Sequence, residues 1–248
     1  MKTIAIIQAR MGATRLPGKV LLSLCGQTVL SHVIARVRQA KRLHGVLVAT
    51  TIAPQDEAIE RACQQIGVPC HRGSEQDVLD RYYQAARSID AEVVVRITAD
   101  CPLFDGELLD HMLGHFEAAR EAGVRLDYLC NVVKRTYPRG LDTEIFTMNA
   151  LERAHREAIK PYEREHVTPY LYQHPELFKR FDFEGDQNWS HYRWTLDTPE
   201  DWTLIETIYQ HLYRPGKVFA TEQVLELLQH QPELVKINAA IEQKKLGQ

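Results

Sequence analysis

Two rhythms of apolar residues alternate along the first half of the chain. The runs 3-TIAIIQ-8, 46-VLVATT-51 and 92-EVVVRIT-98 are apolar and β-branched, which predicts strands. Between them apolar positions recur at helical spacing. In 28-TVLSHVIARVRQA-40 the stripe is Val29, Leu30, Val33, Ile34 and Val37, with Thr28 placed to cap the helix. The segment 55-QDEAIERACQQIG-67 reads as a helix stopped by Gly67, and a short strand follows at 68–72. Helices are expected at 77–89 and 106–123. Strands separated by helices of this length predict a parallel sheet with right-handed crossovers.

The second half is less regular. Candidate strands are 127–132, 142–147 and 179–185, the first two flanking the turn-like 137-YPRG-140. Candidate helices are 147–158, 163–173, 199–213 and 221–229. The absence of a Gly/Ser linker, a low-complexity tract and an internal repeat favours one domain over 1–248, with about 127–185 as an acceptor or dimerisation subregion.

Composition narrows the class. A hydrophobic fraction of 44% and a charged fraction of 25% describe an ordinary globule. A net charge of −3 argues against a general nucleic-acid binder. No stretch approaches the ~18 apolar residues of a membrane span, and Gln8 and Arg10 interrupt the first apolar run, which excludes a signal-peptide pattern. The five cysteines, Cys25, Cys63, Cys70, Cys101 and Cys130, form no CxxC pair, which counts against structural zinc and a disulfide framework. A cytoplasmic enzyme is the expectation.

The candidate chemistry begins in 7-IQARMGATRLPGKVLL-22. It looks like a P-loop but has five residues, not four, between Gly12 and Gly18, and Val20 rather than Ser or Thr after Lys19. A dinucleotide site is no better, because GxGxxG is missing. Three cations, Arg10, Arg15 and Lys19, nevertheless follow the first strand, at the sheet edge where α/β ligands gather. Guanidiniums fork onto phosphate oxygens and the lysine adds a point charge, so the loop suits a polyphosphate. Asp100 stands just past the strand 92–98, at the same edge, as a magnesium ligand; Asp105 is the better cap for helix 106–121. In 192-YRWTLDTPEDW-202, Thr198 and Pro199 open a helix and leave Asp197, expected at the end of another short strand, free to face the site. Two carboxylates on neighbouring strand ends would hold one metal between them.

Further along, Asp142 and Glu144 would share a face of a strand, with Arg139 before them and His166 after. They make either an acceptor pocket for a polar, hydroxyl-rich, acidic substrate or a salt-bridged solvent face, and His166 is either a contact in that pocket or an interface histidine. The aromatics Trp189, Tyr192, Trp194 and Trp202 are expected to pack around Asp197.

Taken together, "QARMGATRLPGKVL", "GSEQDVLDRYYQAA", "TADCPL", "GLDTEIF" and "RWTLDTPEDW" resemble the cytidylyltransferase family, the CMP-sugar synthetases that activate Kdo and acylneuraminate-type acids, and within it the branch of spore coat polysaccharide biosynthesis protein F. The resemblance runs over most of residues 1–210. It implies a Rossmann-like nucleotidyltransferase fold of the α/β class, with a mostly parallel central sheet flanked by helices and a small subdomain or dimerisation arm. It implies CTP as nucleotide, Mg2+ as cofactor and a homodimer. Arg10 and Lys19 would meet the CTP phosphates with Arg15 nearby, and Gln8, Ala9, Gly12 and Thr98 would line the same nucleotide site. Asp100 and Asp197 would hold the metal, and Asp80 and Arg81 would lie near the cytosine or ribose. Catalysis would rest on Arg10, Lys19 and Asp100, as an acceptor oxygen attacks the α-phosphate in line and pyrophosphate leaves. The strand end departs from the Gly-Asp-Glu-Pro type of the CMP-Kdo enzymes, being Ala99-Asp100-Cys101-Pro102 here, so the acceptor stays open. A glycosyltransferase is the competing class, but the Asp-x-Asp motif of such enzymes is missing. A non-catalytic nucleotide binder would have no need for Arg10, Lys19, Asp100 and Asp197 together.

Overall fold

The structure, a computed structural model, describes residues 1–243. In chain order the elements are β1 (Thr3–Gln8), β2 (Ser23–Leu24), β3 (Gln27–Thr28), α1 (Val29–Val37), β4 (Gly45–Thr51), α2 (Glu57–Ile66), β5 (Cys70–Gly73), α3 (Val78–Ser88), β6 (Val93–Thr98) and α4 (Gly106–Glu121). They continue as β7 (Tyr128–Cys130), β8 (Glu144–Thr147), α5 (Met148–Glu157), α6 (Pro161–His166), α7 (Pro169–Gln173), β9 (Arg180–Asp182), α8 (Pro199–Leu212) and α9 (Thr221–His230). Among the described residues a seven-stranded sheet has the order β5-β4-β1-β6-β8-β7-β9. The first four strands are mutually parallel, β8 runs antiparallel to both β6 and β7, and β9 is parallel to β7. The mostly parallel sheet and its flanking helices match the fold expected from sequence. The segment 127–185 supplies three strands to this one sheet and is continuous with it.

Strand alternation divides the core into two layers. Ala5, Ile7, Val95 and Ile97 face one side and pack with α1, α4 and α8 through residues such as Val33, Phe116 and Ile205. Ile4, Ile6, Val94 and Phe146 face the other and pack with α3 and α5 through Leu79, Tyr82 and Leu151. Each such aliphatic or aromatic side chain contributes ~1.5–3 kcal/mol when fully buried.

Caps set the helix starts. Thr28 accepts the N–H of Ser31, Asp77 that of Asp80, and Asp105 those of Glu107 and Leu108, which leaves Asp100 uncommitted to α4. Gly67 ends α2 in the left-handed conformation.

Three elements differ from expectation. The helix predicted over 163–173 is two helices, because Val167 sits at φ 72°, ψ −55°, and Thr168 N–H donates to the His166 carbonyl at 2.9 Å. That is a γ-turn at a β-branched residue, a strained arrangement, and Pro169 then restarts the helix. No strand forms before Asp197: residues there make an isolated bridge, Arg139 to Arg193, and a hydrogen bond from Leu196 N–H to the Asp100 carbonyl at 2.8 Å. The strand predicted from 142 begins only at Glu144, so Asp142 precedes it. Sequence gave no sign of the β2–β3 ribbon. Trp194 is fully buried as expected, with Trp189 and Trp202 packed against the same core. No helix among the described residues is long and apolar enough to cross a membrane.

Candidate active site

The chain passes from β1 outward through β4 to β5, then returns to the other side of β1 as β6. Strand order therefore reverses between β1 and β6, and a crevice forms beyond their carboxyl ends. A cavity of about 510 Å³ lies there, walled by Gln8, Ala9, Arg10 and Arg15 after β1, and by Thr98 and Asp100 after β6. Lys19, Arg81, Arg139, Asp142, Glu144, His166 and Asp197 complete the set of sequence candidates on its wall.

The loop after β1 is tied down before it carries charge. Met11 N–H donates to Asp56 Oδ1 at 2.7 Å, and the buried Asp56 also takes the Thr51 hydroxyl. Gly18, at φ 69°, folds back to donate its N–H to the Met11 carbonyl at 3.0 Å and starts a 3-10 turn, Lys19–Leu21. Lys19 is thereby driven inward and is only 8% exposed.

Lys19 does not reach toward open space. Its Nζ donates to Asp100 Oδ2, Asp197 Oδ1 and the Leu196 carbonyl, each at 2.7 Å. Burial works against its charge, but Asp100 and Asp197 outweigh it and raise the Lys19 pKa above the ordinary value. Burial likewise pushes the Asp100 carboxyl up, yet Lys19 and the Thr98 hydroxyl bring it below the ordinary carboxylate value. Asp100 is thus a carboxylate, its Oδ1 accepting from Thr98 at 2.6 Å.

Asp197 is held from the other side. Its Oδ2 takes Arg193 at 3.0 Å and Arg15 at 3.1 Å. Arg193 is itself forked onto Asp201 by two bonds of 2.9 Å. Asp201 is fully buried and also accepts the Asp197 and Thr198 N–H groups at 3.0 and 3.1 Å. Three cations, Lys19, Arg15 and Arg193, therefore interlock with three carboxylates, Asp100, Asp197 and Asp201.

The remaining wall carries cations of two kinds. Arg96 pairs with Glu144, whose other oxygen takes the Tyr128 hydroxyl at 2.6 Å, and Arg135 forks onto Asp142 at 2.6 and 2.9 Å. Arg10 and Arg139 have no ion-pair partner among the described residues. Arg81 is 2% exposed, donates to the Ser74 carbonyl at 2.6 Å and leaves its Nε without a partner. Burial lowers the pKa of His166, which favours the neutral ring, and lifts the Cys101 thiol well above its usual value.

Two sequence candidates are not on the wall. Asp80 follows a different face of α3 from its neighbour Arg81 and bonds His155 Nε2 at 2.9 Å and Gln84 at 3.1 Å. Gly12 is exposed, and a Cβ there would meet nothing closer than Glu75 Oε1 at 3.9 Å. Asp142 precedes β8 and is forked by Arg135, so it does not share the strand with Glu144, although both face the cavity. Arg96, Arg135, Arg193, Asp201 and the Leu196 carbonyl went unforeseen. Two left a trace in sequence: Arg96 is the one charged residue of 93-VVVRIT-98, and Arg193 precedes Asp197 by four.

Asp100 Oδ2, Asp197 Oδ1 and the Leu196 carbonyl are hard oxygen donors carrying two negative charges, and the Lys19 ammonium already marks a cation position among them. That donor set fits a divalent ion such as magnesium, which takes one or two carboxylates and completes its shell with phosphate and water.

The chain is similar to known proteins over most of its length. A family model described as Cytidylyltransferase matches residues 4–233. The spore coat polysaccharide biosynthesis protein SpsF of Bacillus subtilis is 36% identical over 236 residues, which cover 92% of this chain and 94% of that protein. The 3-deoxy-manno-octulosonate cytidylyltransferase of Anaeromyxobacter dehalogenans is 32% identical over 181 residues, 67% of this chain and 72% of that one. A solved cytidylyltransferase from Leptospira borgpetersenii superposes with a TM-score of 0.89 at 34% identity, covering 99% of this chain and 100% of that chain. By a family model over most of its length, by its relatives and by its fold, this chain belongs to the cytidylyltransferase family of nucleotidyltransferases.

Proposed function

We propose that the chain transfers CMP from CTP to a hydroxyl of a sugar acid or related anionic acceptor, releases pyrophosphate, depends on magnesium and serves surface polysaccharide synthesis. The observation that carries this is the pair of guanidiniums in one cavity, Arg10 and Arg139, that have no ion-pair partner among the described residues. Arg10 lies by Arg81 and His166, and Arg139 lies by Arg135, Asp142 and Arg193. A reaction that joins two anionic substrates needs two such subsites.

On this reading Arg10 and Arg15 offset charge on the β- and γ-phosphates, and Arg81 adds buried N–H donors at the nucleotide end. Arg139 takes the acceptor's anionic group, with Asp142 and Glu144 fixed by their arginines as hydrogen-bond acceptors for hydroxyls. Asp100 and Asp197 would hold a divalent cation, which would supply positive charge to offset that on the phosphates. Positioning and cationic charge do most of the work in phosphoryl and nucleotidyl transfer. The names of two relatives, one a Kdo cytidylyltransferase and one a polysaccharide biosynthesis protein, support the acceptor class.

The test is pyrophosphate release from each of the four NTPs with a panel of sugar acids and phosphorylated polyols. The reaction is expected to favour CTP and an acidic acceptor and to stop on magnesium removal. Consumption of a nucleotide sugar without pyrophosphate release would favour a glycosyltransferase instead. Arg139→Ala is expected to raise the KM for the acceptor while leaving that for CTP within about threefold.

A further inference from the structure

The position of Lys19 has a consequence for how cations enter the site. An ammonium has three donors. All three of those on Lys19 are used, on Asp100 Oδ2, Asp197 Oδ1 and the Leu196 carbonyl at 2.7 Å each. In that arrangement none is left for a phosphate.

The three oxygens are aimed at this point by other contacts. Asp100 Oδ1 is engaged by the Thr98 hydroxyl at 2.6 Å, so Oδ2 turns toward the cluster. Asp197 Oδ2 is engaged by Arg193 and Arg15, so Oδ1 turns the same way. The Leu196 carbonyl is steered there by its own N–H bond to the Asp100 carbonyl at 2.8 Å. Two carboxylate oxygens and a carbonyl converging on one point make a cation site, whichever cation fills it. An ammonium and a divalent ion cannot fill it together, since at contact distance the two charges repel.

We infer that the Lys19 ammonium and a divalent cation compete for this one three-oxygen position, with the Leu196 carbonyl as a third protein ligand to the metal, so that metal enters only as Lys19 leaves. The displaced ammonium sits on the same loop as Arg10 and Arg15 and is then free for the phosphates. Metal alone is held weakly, and metal together with triphosphate is held far better. This rests on the metal-dependent reading above, but its test uses no nucleotide.

Binding of Mn2+ is followed by the free-ion EPR signal, without CTP or acceptor, in the wild type, Lys19→Met and Arg10→Met. Methionine keeps the length of the lysine stem and removes its charge. Lys19→Met is expected to bind Mn2+ at least about tenfold more tightly than wild type, because the position is vacated. Arg10→Met removes the same charge from the same loop without vacating it, and is expected to change affinity less than about threefold. Equal affinities for Lys19→Met and wild type, or an equal gain in Arg10→Met, would overturn the inference. Should Lys19→Met fail to fold, wild-type crystals soaked to saturation with Mn2+ decide the matter by anomalous scattering. A manganese peak among the three oxygens with Lys19 moved out supports exchange. Manganese bound elsewhere, or beside a Lys19 still touching both carboxylates, refutes it. A failed pyrophosphate assay leaves these results standing, and a failed exchange leaves that assay untouched.

Discussion

Asp100→Asn separates the chemistry of the site from its contribution to the fold. The substitution keeps the shape of the side chain and removes one charge. Asp100 makes two side-chain contacts of consequence, with Lys19 at 2.7 Å and with Thr98 at 2.6 Å. An asparagine retains an oxygen for Lys19 and can turn its amide toward Thr98, whose hydroxyl accepts. The bond to Lys19 keeps its ionised donor but loses the carboxylate's charge, and weakens within the range of ~1.5–3 kcal/mol for bonds to charged groups. Lys19 still has Asp197 and the Leu196 carbonyl. The cluster of three cations and three carboxylates shifts from balanced to one net positive charge. The expected loss is therefore ~1–2 kcal/mol, which for a domain of this size lowers the melting temperature by about 2–8 °C. On the proposed function, in which Asp100 is a metal ligand, turnover is expected to fall at least ~100-fold, or ~2.7 kcal/mol in the barrier. The assay pairs a thermal melt with pyrophosphate release at saturating CTP and magnesium. A melt lowered by more than about 12 °C would show that Asp100 is chiefly structural. Turnover within about threefold of wild type would show that it is not in the reaction path.

Asp201→Asn is expected to destabilise the chain by about 3–5 kcal/mol in chemical denaturation, because one oxygen cannot serve both the Arg193 fork and the Asp197 and Thr198 N–H groups; a loss below ~1 kcal/mol would mean that Arg193 finds water instead. Gly140→Ala places a Cβ 2.6 Å from the Trp194 carbonyl carbon at φ 109° and should cost at least ~2 kcal/mol, read as a lowered thermal midpoint. Acid titration tests the carboxylates. Burial alone would raise Asp100 and Asp142, but Lys19 and Arg135 hold both below the ordinary 3.8. Their contribution is complete above that unfolded value and is lost as pH falls through the lower folded ones, so stability should hold down to about pH 5 and drop below about pH 4. A decline already under way at pH 6 would point to other groups.

The parallel core was legible in sequence because β1, β4 and β6 are apolar, β-branched runs with helices between them, and that pattern has few alternatives. Asp100 was legible for the same reason: it stands at the end of such a run, and Asp105 is better spaced to cap the next helix. What escaped were particular pairings. Arg135 stands seven positions before Asp142, but that spacing alone does not show that it will fork onto the carboxylate. Nothing near Lys19 shows that the Leu196 carbonyl will be its third partner, since a backbone oxygen has no sequence signature. The split at Val167 was not legible from the proline rule, since Thr168, the residue before Pro169, keeps helical angles and the break falls one position earlier. The missing strand before Asp197 has a different cause. That segment meets Asp100 and Arg139 at single points only, so its extended pattern never became a ladder.

The contact between Lys19 and Leu196 spans 177 positions of chain. Synthesis proceeds from the N-terminus, so the four parallel strands β5, β4, β1 and β6 can assemble while residue 196 and the chain beyond it have yet to emerge. During that interval Lys19 has Asp100 to pair with but neither Asp197 nor the Leu196 carbonyl. The nascent sheet therefore carries an incomplete, solvated cluster, and its closing waits on the arrival of α8. Co-translational folding thus orders events so that the crevice beyond β1 and β6 becomes a defined site last, after the sheet that supports it.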